Sequence, residues 1–137
     1  MLHSLKTVAQ RTFSTSVSCA QVQLRTRLKV VDNSILGKEA VDRGRPAYCI
    51  GVYNKTRIGT TGDIIRVAIR GQPKKAVLVG CRQVQRHGVP RYDSNNIVLL
   101  EDNGSPSATK IRVPIPNMLK AKGKDVAKIL PNASKFV

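Results

Sequence analysis

The sequence predicts a mainly β protein, a small closed barrel or a sandwich, followed by a short helical tail. Short apolar or alternating runs recur at roughly ten-residue spacing between residues 22 and 115, with turn residues between them. The chain has 2 Phe, 3 Tyr and no Trp among its 137 residues, so its core must be aliphatic. Its 24 Lys and Arg against 8 Asp and Glu give a net charge of +16, which indicates a polyanionic partner.

The central stretch, residues 62–91, contains two such runs. In the first, Ile65, Val67 and Ile69 fall on one face of a predicted strand. Arg66 and Arg70 fall on the opposite face. Successive side chains of a strand point to opposite faces, so this run predicts a strand with an apolar inner face and a basic outer face.

The second run follows residues 71–73, which predict the connection between the two strands. Residues 76–79 are apolar throughout, and Arg82, Val84 and Arg86 then recur at a period of two. This pattern predicts a second strand whose outer face continues the basic surface.

Residues 22–31 alternate apolar side chains with Arg25, Arg27 and Lys29, which predicts a half-buried first strand with a basic outer face. Residues 32–34 end it. We interpret Asp32 as the acceptor of an Asx turn, because no second acid or histidine lies nearby in sequence to support a catalytic role.

Residues 35–46 carry mixed charges, two glycines and a proline, and are predicted to be a loop. Further strands are predicted at residues 47–53 and 97–100, and an edge strand closed by Pro114 and Pro116 at residues 109–115. The intervening turns and links are predicted at residues 54–61, 87–90 and 101–106.

The tail is predicted to be helical in two short pieces. Asn117 is the expected N-cap of a helix from Met118, and Gly123 interrupts that helix. Residues 126–130 form the second piece, which Pro131 is expected to stop.

Residues 1–20 have the composition of a mitochondrial transit peptide. They contain Lys6 and Arg11, are rich in Ser and Thr, and carry no acid, since the first acidic residue is Asp32. The position of Arg11 predicts cleavage after Ala20; the alternative is a disordered basic N-terminus. A domain of residues 21–116 and a tail of residues 117–137 would remain.

Several classes of protein lack support in the sequence. No apolar run approaches the ~20 residues of a membrane span. Cys19, Cys49 and Cys81 have no zinc spacing, and we interpret Cys49 and Cys81 as small apolar residues. His87 has no neighbouring acid or nucleophile, so we predict no catalytic residue, metal, cofactor or small-molecule substrate.

Nucleic-acid binding accounts better for the basic residues, which fall in clusters along the whole chain with few acids between them. Stacking on single-stranded bases needs aromatic platforms, and only Tyr48, Tyr53 and Tyr92 are available after residue 20. The expected target is therefore the phosphate backbone and shape of folded RNA.

Several motifs resemble one family, ribosomal protein fourteen of the large subunit. The motifs are LKVVDNS at residues 28–34, YCIGV at 48–52, GDIIRVAI at 62–69, AVLV at 76–79, YDSNNIVLL at 92–100 and TKI at 109–111. The resemblance covers residues 22–130. The chain differs from bacterial members in a longer stretch at residues 35–48, a shorter hairpin at residues 83–91 and a shorter basic ribbon at residues 71–75.

The resemblance implies a five-stranded β-barrel that binds rRNA of the large subunit and meets small-subunit rRNA at an intersubunit bridge. With the presequence, it implies the form found in the mitochondrial matrix. It also implies contacts with large-subunit proteins of families three and nineteen and with a ribosome-silencing factor.

Two sets of residues are predicted to serve these partners. The RNA-binding set is Arg25, Lys29, Asn33, Lys55, Arg57, Arg66, Arg70, Lys74, Lys75, Arg82, Arg86 and Arg91. The partner-protein set is Thr109, Lys110, Lys124 and Lys128, although Lys110 could equally face phosphate.

The leading interpretation is a non-catalytic component of the mitochondrial large ribosomal subunit that acts in translation. One alternative is a free RNA-binding regulatory module in mitochondria. A second is an enzyme, for example one that modifies RNA, for which the sequence offers no nucleophile or base.

Overall fold

The computed structural model describes residues 21–137, so the predicted presequence lies outside the described residues. The strands are β1 (Arg27–Val30), β2 (Ala47–Val52), β3 (Ile64–Ile69), β4 (Gln72–Gly80) and β5 (Asn96–Leu100). The helices are α1 (Ile35–Asp42) and α2 (Lys124–Ala127), with 3₁₀ segments at Asn117–Ala121 and Leu130–Asn132.

The five strands form a closed barrel in the order β1-β2-β3-β4-β5. Neighbouring strands are antiparallel except β1 and β5, which run parallel and complete the closure. The prediction of a small β-barrel with a helical C-terminal region is therefore confirmed, and the sandwich alternative is wrong.

Two apolar clusters explain the hydrophobic patterns. One fills the barrel and includes Leu28, Ile65 and Ile97. The other lies outside β4 and β5, where Val77 and Leu100 pack under the C-terminal residues. Because residues 76–79 of β4 and 97–100 of β5 are covered on both faces, these stretches are continuous apolar runs, whereas the alternation in β3 reflects a strand exposed on one face.

The first strand is shorter than predicted. Val22 is buried and forms an isolated bridge with Gly59, but residues 23–25 turn, and Leu24 is exposed. The φ angle of Arg25 is 67°, in the left-handed region, and its N–H donates to the carbonyl of Cys49. This turn separates Val22 from the regular strand that begins at Arg27.

The prediction of a loop over residues 35–46 is wrong, because α1 begins there. The Ser34 hydroxyl caps the helix by accepting from the Gly37 N–H. At the other end Gly44, with φ of 65°, allows a Schellman motif in which the N–H of Arg45 donates to the carbonyl of Ala40. The two glycines that suggested a loop are thus a buried helical position and a C-terminal cap.

The period-two strand predicted through Arg82, Val84 and Arg86 is also wrong. β4 ends at Gly80, where its register with β5 shifts. The following residues form a short loop braced by a bridge between Arg86 and Val89, with the predicted turn at its tip. Arg82, Val84 and Arg86 are all exposed on this loop, so their period of two does not mark one face of a sheet.

Three details of the C-terminal region differ from the prediction. Residues 109–115 make only isolated bridges, at Ile111 and Ile115, instead of an edge strand. Pro116 occupies the N-cap position that was predicted for Asn117. Pro131 lies inside the last 3₁₀ segment rather than after a helix, which its fixed φ permits near a helical N-terminus.

Candidate nucleic-acid interface

The outward side chains of β1, β3 and β4 include four basic residues, Arg27, Lys29, Arg66 and Lys75, which we together call the basic face. All four side chains are exposed, while the alternate positions of their strands fill the barrel or pack against it. The strand pairing therefore fixes the backbone positions from which these charged side chains project.

Arg66 and Lys75 are direct cross-strand partners in the β3–β4 ladder. On its other side, Arg66 lies opposite Gly51, which has no side chain. Like charges directly opposite each other on a sheet oppose folding by roughly 0.2–1 kcal/mol. This pair concentrates positive charge at a position where pairing with an acid would have been the more stable arrangement.

Three other predicted RNA-binding arginines lie in turns with left-handed backbones. Arg25, Arg57 and Arg70 have φ angles of 67°, 55° and 51°. Residues with a Cβ adopt this region at a cost of roughly 1 kcal/mol, which glycine avoids. Arg70 and Gly71 form the two-residue turn between Ile69 and Gln72, and the turn presents the guanidinium at the end of the hairpin.

Two members of the predicted RNA-binding set are paired with acids. Arg70 forms an ion pair with Glu39 of α1, and the Lys74 Nζ lies 3.1 Å from Glu101 Oε2. The pKa of Glu101 is lowered first by the hydrogen bond from the Ser107 hydroxyl and then by Lys74. Lys74 is therefore less available to phosphate than the exposed Lys75 beside it.

The remaining basic members have no acidic partner within 4.0 Å among residues 21–137. They are all exposed and are Arg25, Lys29, Lys55, Arg57, Arg66, Lys75, Arg82, Arg86 and Arg91. The last three surround the loop after β4, where the Gln83 side chain donates to the carbonyl of Pro90 and the Arg82 N–H donates to Asn95 Oδ1. This bracing orders a basic loop of residues 82–91.

Asn33 connects the two predicted sets. Its side-chain oxygen accepts from the backbone N–H groups of Thr109 and Lys110 at 3.1 and 3.2 Å, and its Nδ2 donates to the Thr109 hydroxyl. Asn33 thus positions the predicted partner-protein segment, and its contact with RNA stays a prediction.

Thr109 and Lys110 are exposed. They lie beside the C-terminal region, because the Asn132 side chain donates to the carbonyl of Ala108 and the Asn132 carbonyl accepts from the N–H of Ile111. Lys124 begins α2 and Lys128 is its C-cap residue; both are exposed, and the Lys128 Nζ lies 3.7 Å from Asp125 Oδ1. The partner-protein set therefore occupies two exposed segments, residues 109–110 before the tail and residues 124–128 within it.

The three tyrosines have different environments. Tyr48 and Tyr53 are 46% and 63% exposed. The Tyr92 ring covers Gly80 and its hydroxyl donates to the carbonyl of Pro114, and burial raises its pKa. Tyr92 holds the residues around Pro114 against the barrel, so its ring is less available for stacking on bases than the exposed rings of Tyr48 and Tyr53.

The chemistry of the cysteines agrees with their interpretation as small apolar residues. Burial raises the pKa of Cys81 to about 11 and also raises that of Cys49, so both remain thiols near neutral pH. Residues 21–137 contain no cluster of three or more His, Cys, Asp or Glu suited to a metal ion. In the same residues, no helix has the length and apolar character needed to cross a bilayer.

Comparison with known proteins identifies the family. The family model described as Ribosomal protein L14p/L23e matches residues 21–137. The chain belongs to the L14p/L23e family of ribosomal proteins. It is 44% identical over 132 residues to the large ribosomal subunit protein uL14m of Danio rerio, a match that covers 96% of this chain and 92% of the relative.

This match confirms the predicted resemblance, the mitochondrial form of the family and the mitochondrial location. The L14p/L23e family consists of ribosomal structural proteins and is not an enzyme family. The prediction of a large-subunit ribosomal protein is confirmed at this level.

Sequence reasoning missed part of the basic surface of this L14p/L23e protein. Arg43 and Arg45 follow α1 and line a cleft together with Arg70 and Tyr48. Their stretch was predicted to be a loop, and the arginines were not assigned a role. The spacing Arg-Gly-Arg-Pro immediately after a capped helix was the available signal, because a Gly cap followed by Pro fixes the flanking residues.

Proposed function

We propose that this protein binds rRNA of the mitochondrial large ribosomal subunit through the basic face and the arginine-bearing turns. The cross-strand pair of Arg66 and Lys75 carries the proposal, because it maintains like charges side by side on a rigid barrel. A phosphate group near both side chains would convert this repulsion into attraction and release counterions.

The mechanism is charge neutralisation by a preformed surface. The β3–β4 ladder fixes the backbone positions of Arg66 and Lys75 before RNA arrives, so binding has to order only their side chains. Phosphate contacts of this kind set the position and orientation of the protein on folded RNA without reading its sequence. The protein would thereby hold neighbouring rRNA segments in place.

The family resemblance extends this proposal to the subunit interface. The barrel would meet small-subunit rRNA at an intersubunit bridge and contact large-subunit proteins of families three and nineteen. Thr109 and Lys110, fixed by Asn33, would form the docking surface for a ribosome-silencing factor together with Lys124 or Lys128. Residues 1–20 would direct the chain to mitochondria and be removed after Ala20.

Gradient sedimentation of mitochondrial lysate tests the proposed assembly. The protein should migrate with the large subunit and stay there after a moderate salt wash, while the Arg66→Gln/Lys75→Gln variant should be released at lower salt. Lys38→Gln on α1, which removes an exposed charge outside the basic face, is the control. A pool found only at the top of the gradient would instead support a free RNA-binding module.

A further inference from the structure

A cleft of about 750 Å³ opens between the end of α1 and the β2–β3 surface, and it has no role in the contacts described so far. Its lining includes Arg43, Arg45 and Arg70, with Tyr48 and Ala68 on the strand side. We call it the Tyr48 cleft. Its volume falls within the roughly 300–1,000 Å³ typical of ligand sites.

The Tyr48 ring provides an aromatic surface. Tyr48 points outward from β2, is 46% exposed and is the direct cross-strand partner of Ala68 on one side and Arg27 on the other. Because Ala68 has only a methyl group, the neighbouring strand leaves room for a planar ring beside the tyrosine. Aromatic side chains in this setting stack on nucleobases of any sequence.

The arginines are held by local structure. The Schellman motif at Gly44 fixes the backbone on both sides of the glycine, and Pro46 restricts Arg45 further. Arg70 occupies the tight β3–β4 turn and is tied to α1 by its ion pair with Glu39. With Glu39 counted, three arginines and one carboxylate leave a net charge of +2 beside the tyrosine.

This combination of an open aromatic ring with several fixed guanidinium groups matches one ligand chemistry. We infer that the Tyr48 cleft binds a single unstacked nucleotide, with its base on Tyr48 and its phosphate among Arg43, Arg45 and Arg70. The nucleotide could come from an extruded base of rRNA or from a free nucleotide. The first source rests on the proposed function, since the cleft adjoins the basic face through Arg27.

Binding of three labelled RNA hairpins to the purified protein tests this inference. One hairpin carries a bulged adenosine, the second carries an abasic residue at the same place, and the third is fully paired. The wild type should bind the adenosine bulge roughly five-fold to a hundred-fold more tightly than the abasic one, as expected for one base–aromatic stack. Tyr48→Ala should remove this preference, with a loss of roughly five-fold to a hundred-fold, as expected for one lost base–aromatic stack.

Two further variants sharpen the test. Tyr48→Phe should keep the preference because it keeps the ring, and Tyr53→Ala should keep it because Tyr53 is an even more exposed tyrosine that lies outside this cleft. Arg43→Gln/Arg45→Gln should weaken binding of the adenosine hairpin and of the abasic hairpin by the same factor, because both hairpins retain the phosphate. Unchanged affinity for the fully paired hairpin in Tyr48→Ala shows that the variant is folded.

The outcomes separate the inference from the proposed function. One outcome is that the wild type binds all three hairpins with equal affinity and that added ATP does not change its tyrosine fluorescence. This outcome would overturn the nucleotide site while leaving rRNA binding intact. A second outcome is that ATP quenches the tyrosine fluorescence of the wild type but not of Tyr48→Ala, while no hairpin binds. This outcome would support a site for free nucleotides and contradict rRNA binding. Binding of neither ATP nor RNA would overturn both.

Discussion

The Asp32 carboxylate accepts a hydrogen bond from the backbone N–H of Leu99 at 3.0 Å. The parallel β1–β5 ladder continues through the N–H of Val31, which donates to the carbonyl of Ile97, and there the regular pairing stops. The carbonyl of Val31 turns to the N–H of Arg112 instead. The Asp32 side chain thus satisfies the donor of β5 that the departing β1 backbone leaves behind.

Asp32→Ala should destabilise the barrel by about 2–4 kcal/mol. The carboxylate is buried and also accepts from the N–H and hydroxyl of Ser34 at 3.1 and 2.6 Å, so the substitution leaves several donors without a partner. Urea unfolding followed by circular dichroism measures the effect. Asp93→Ala, at an exposed position, should change stability by less than about 0.5 kcal/mol, and equal losses for the two would contradict this role.

The Arg66 and Lys75 pair should affect folding and RNA binding in opposite directions. Arg66→Gln should leave the free energy of unfolding unchanged or raise it by up to roughly 1 kcal/mol, because it removes a cross-strand repulsion. The same substitution should weaken RNA binding and reduce the slope of log affinity against log salt by at most ~1.

Thermal unfolding and RNA titrations between low and moderate salt measure both properties. Lys38→Gln removes one exposed charge from α1 and controls for net charge. If Arg66→Gln left the salt slope at the wild-type value, Arg66 would not contact phosphate.

Gly80 is required by the ring of Tyr92. A Cβ at position 80 would lie 2.9 Å from the ring, so Gly80→Ala should displace it and destabilise the protein by about 1–3 kcal/mol. Tyr92→Phe keeps the ring but loses the hydrogen bond to the carbonyl of Pro114, and should cost about 0.5–1.5 kcal/mol.

A double-mutant cycle with Gly80→Ala and Tyr92→Ala tests whether the two effects share one cause. Once the ring is absent, the added methyl group has room, and the combined loss should be smaller than the sum of the single losses. Strict additivity, measured by chemical denaturation, would show that the alanine acts on something other than Tyr92.

Glu101 should make stability depend on pH on the acidic side. Its folded pKa lies below the ordinary value because of Ser107 and then Lys74. The resulting stabilisation is therefore fully present above the unfolded pKa of ~4.3 and is lost as the pH falls through the folded pKa. The side chain is 46% exposed, so solvent screening limits the effect to below ~1 kcal/mol.

Urea midpoints of the wild type and Glu101→Gln between pH 7 and strongly acidic conditions measure this contribution. The two curves should differ at neutral pH and converge once Glu101 is protonated. Asp102→Asn, one residue further along the same turn, should follow the wild type. A constant difference between wild type and Glu101→Gln at every pH would indicate a packing effect instead.

The barrel was predictable because its strands carry two clear patterns. Ile65, Val67 and Ile69 alternate with exposed residues, and all three are buried in the barrel. The apolar run at residues 76–79 is buried on both faces, as such runs often are. The Asx-turn interpretation of Asp32 is confirmed for Ser34, but its bond to Leu99 depends on closure of the barrel, which local sequence does not show.

The helix α1 and the ends of the strands were not predictable from periodicity. Ile35 and Val41 are exposed on α1, and only Gly37, Ala40 and the partly buried Leu36 face the barrel, so the apolar stripe of the helix is short and weak. The alternation after Cys81 resembled a strand because exposed loops can also alternate. The ion pair of Lys74 and the packing of the Tyr92 ring likewise depend on partners distant in sequence.

The apolar cover over β4 and β5 has a consequence for biogenesis. Val77 and Leu100 face residues that arrive late in synthesis, among them Ile115 and Ile129. A chain that has emerged only as far as the fifth strand therefore exposes the apolar outer surface of β4 and β5, which favours aggregation. A chain truncated before position 111 would lack the residues that cover this apolar surface. Such a chain should aggregate instead of forming a shorter functional protein.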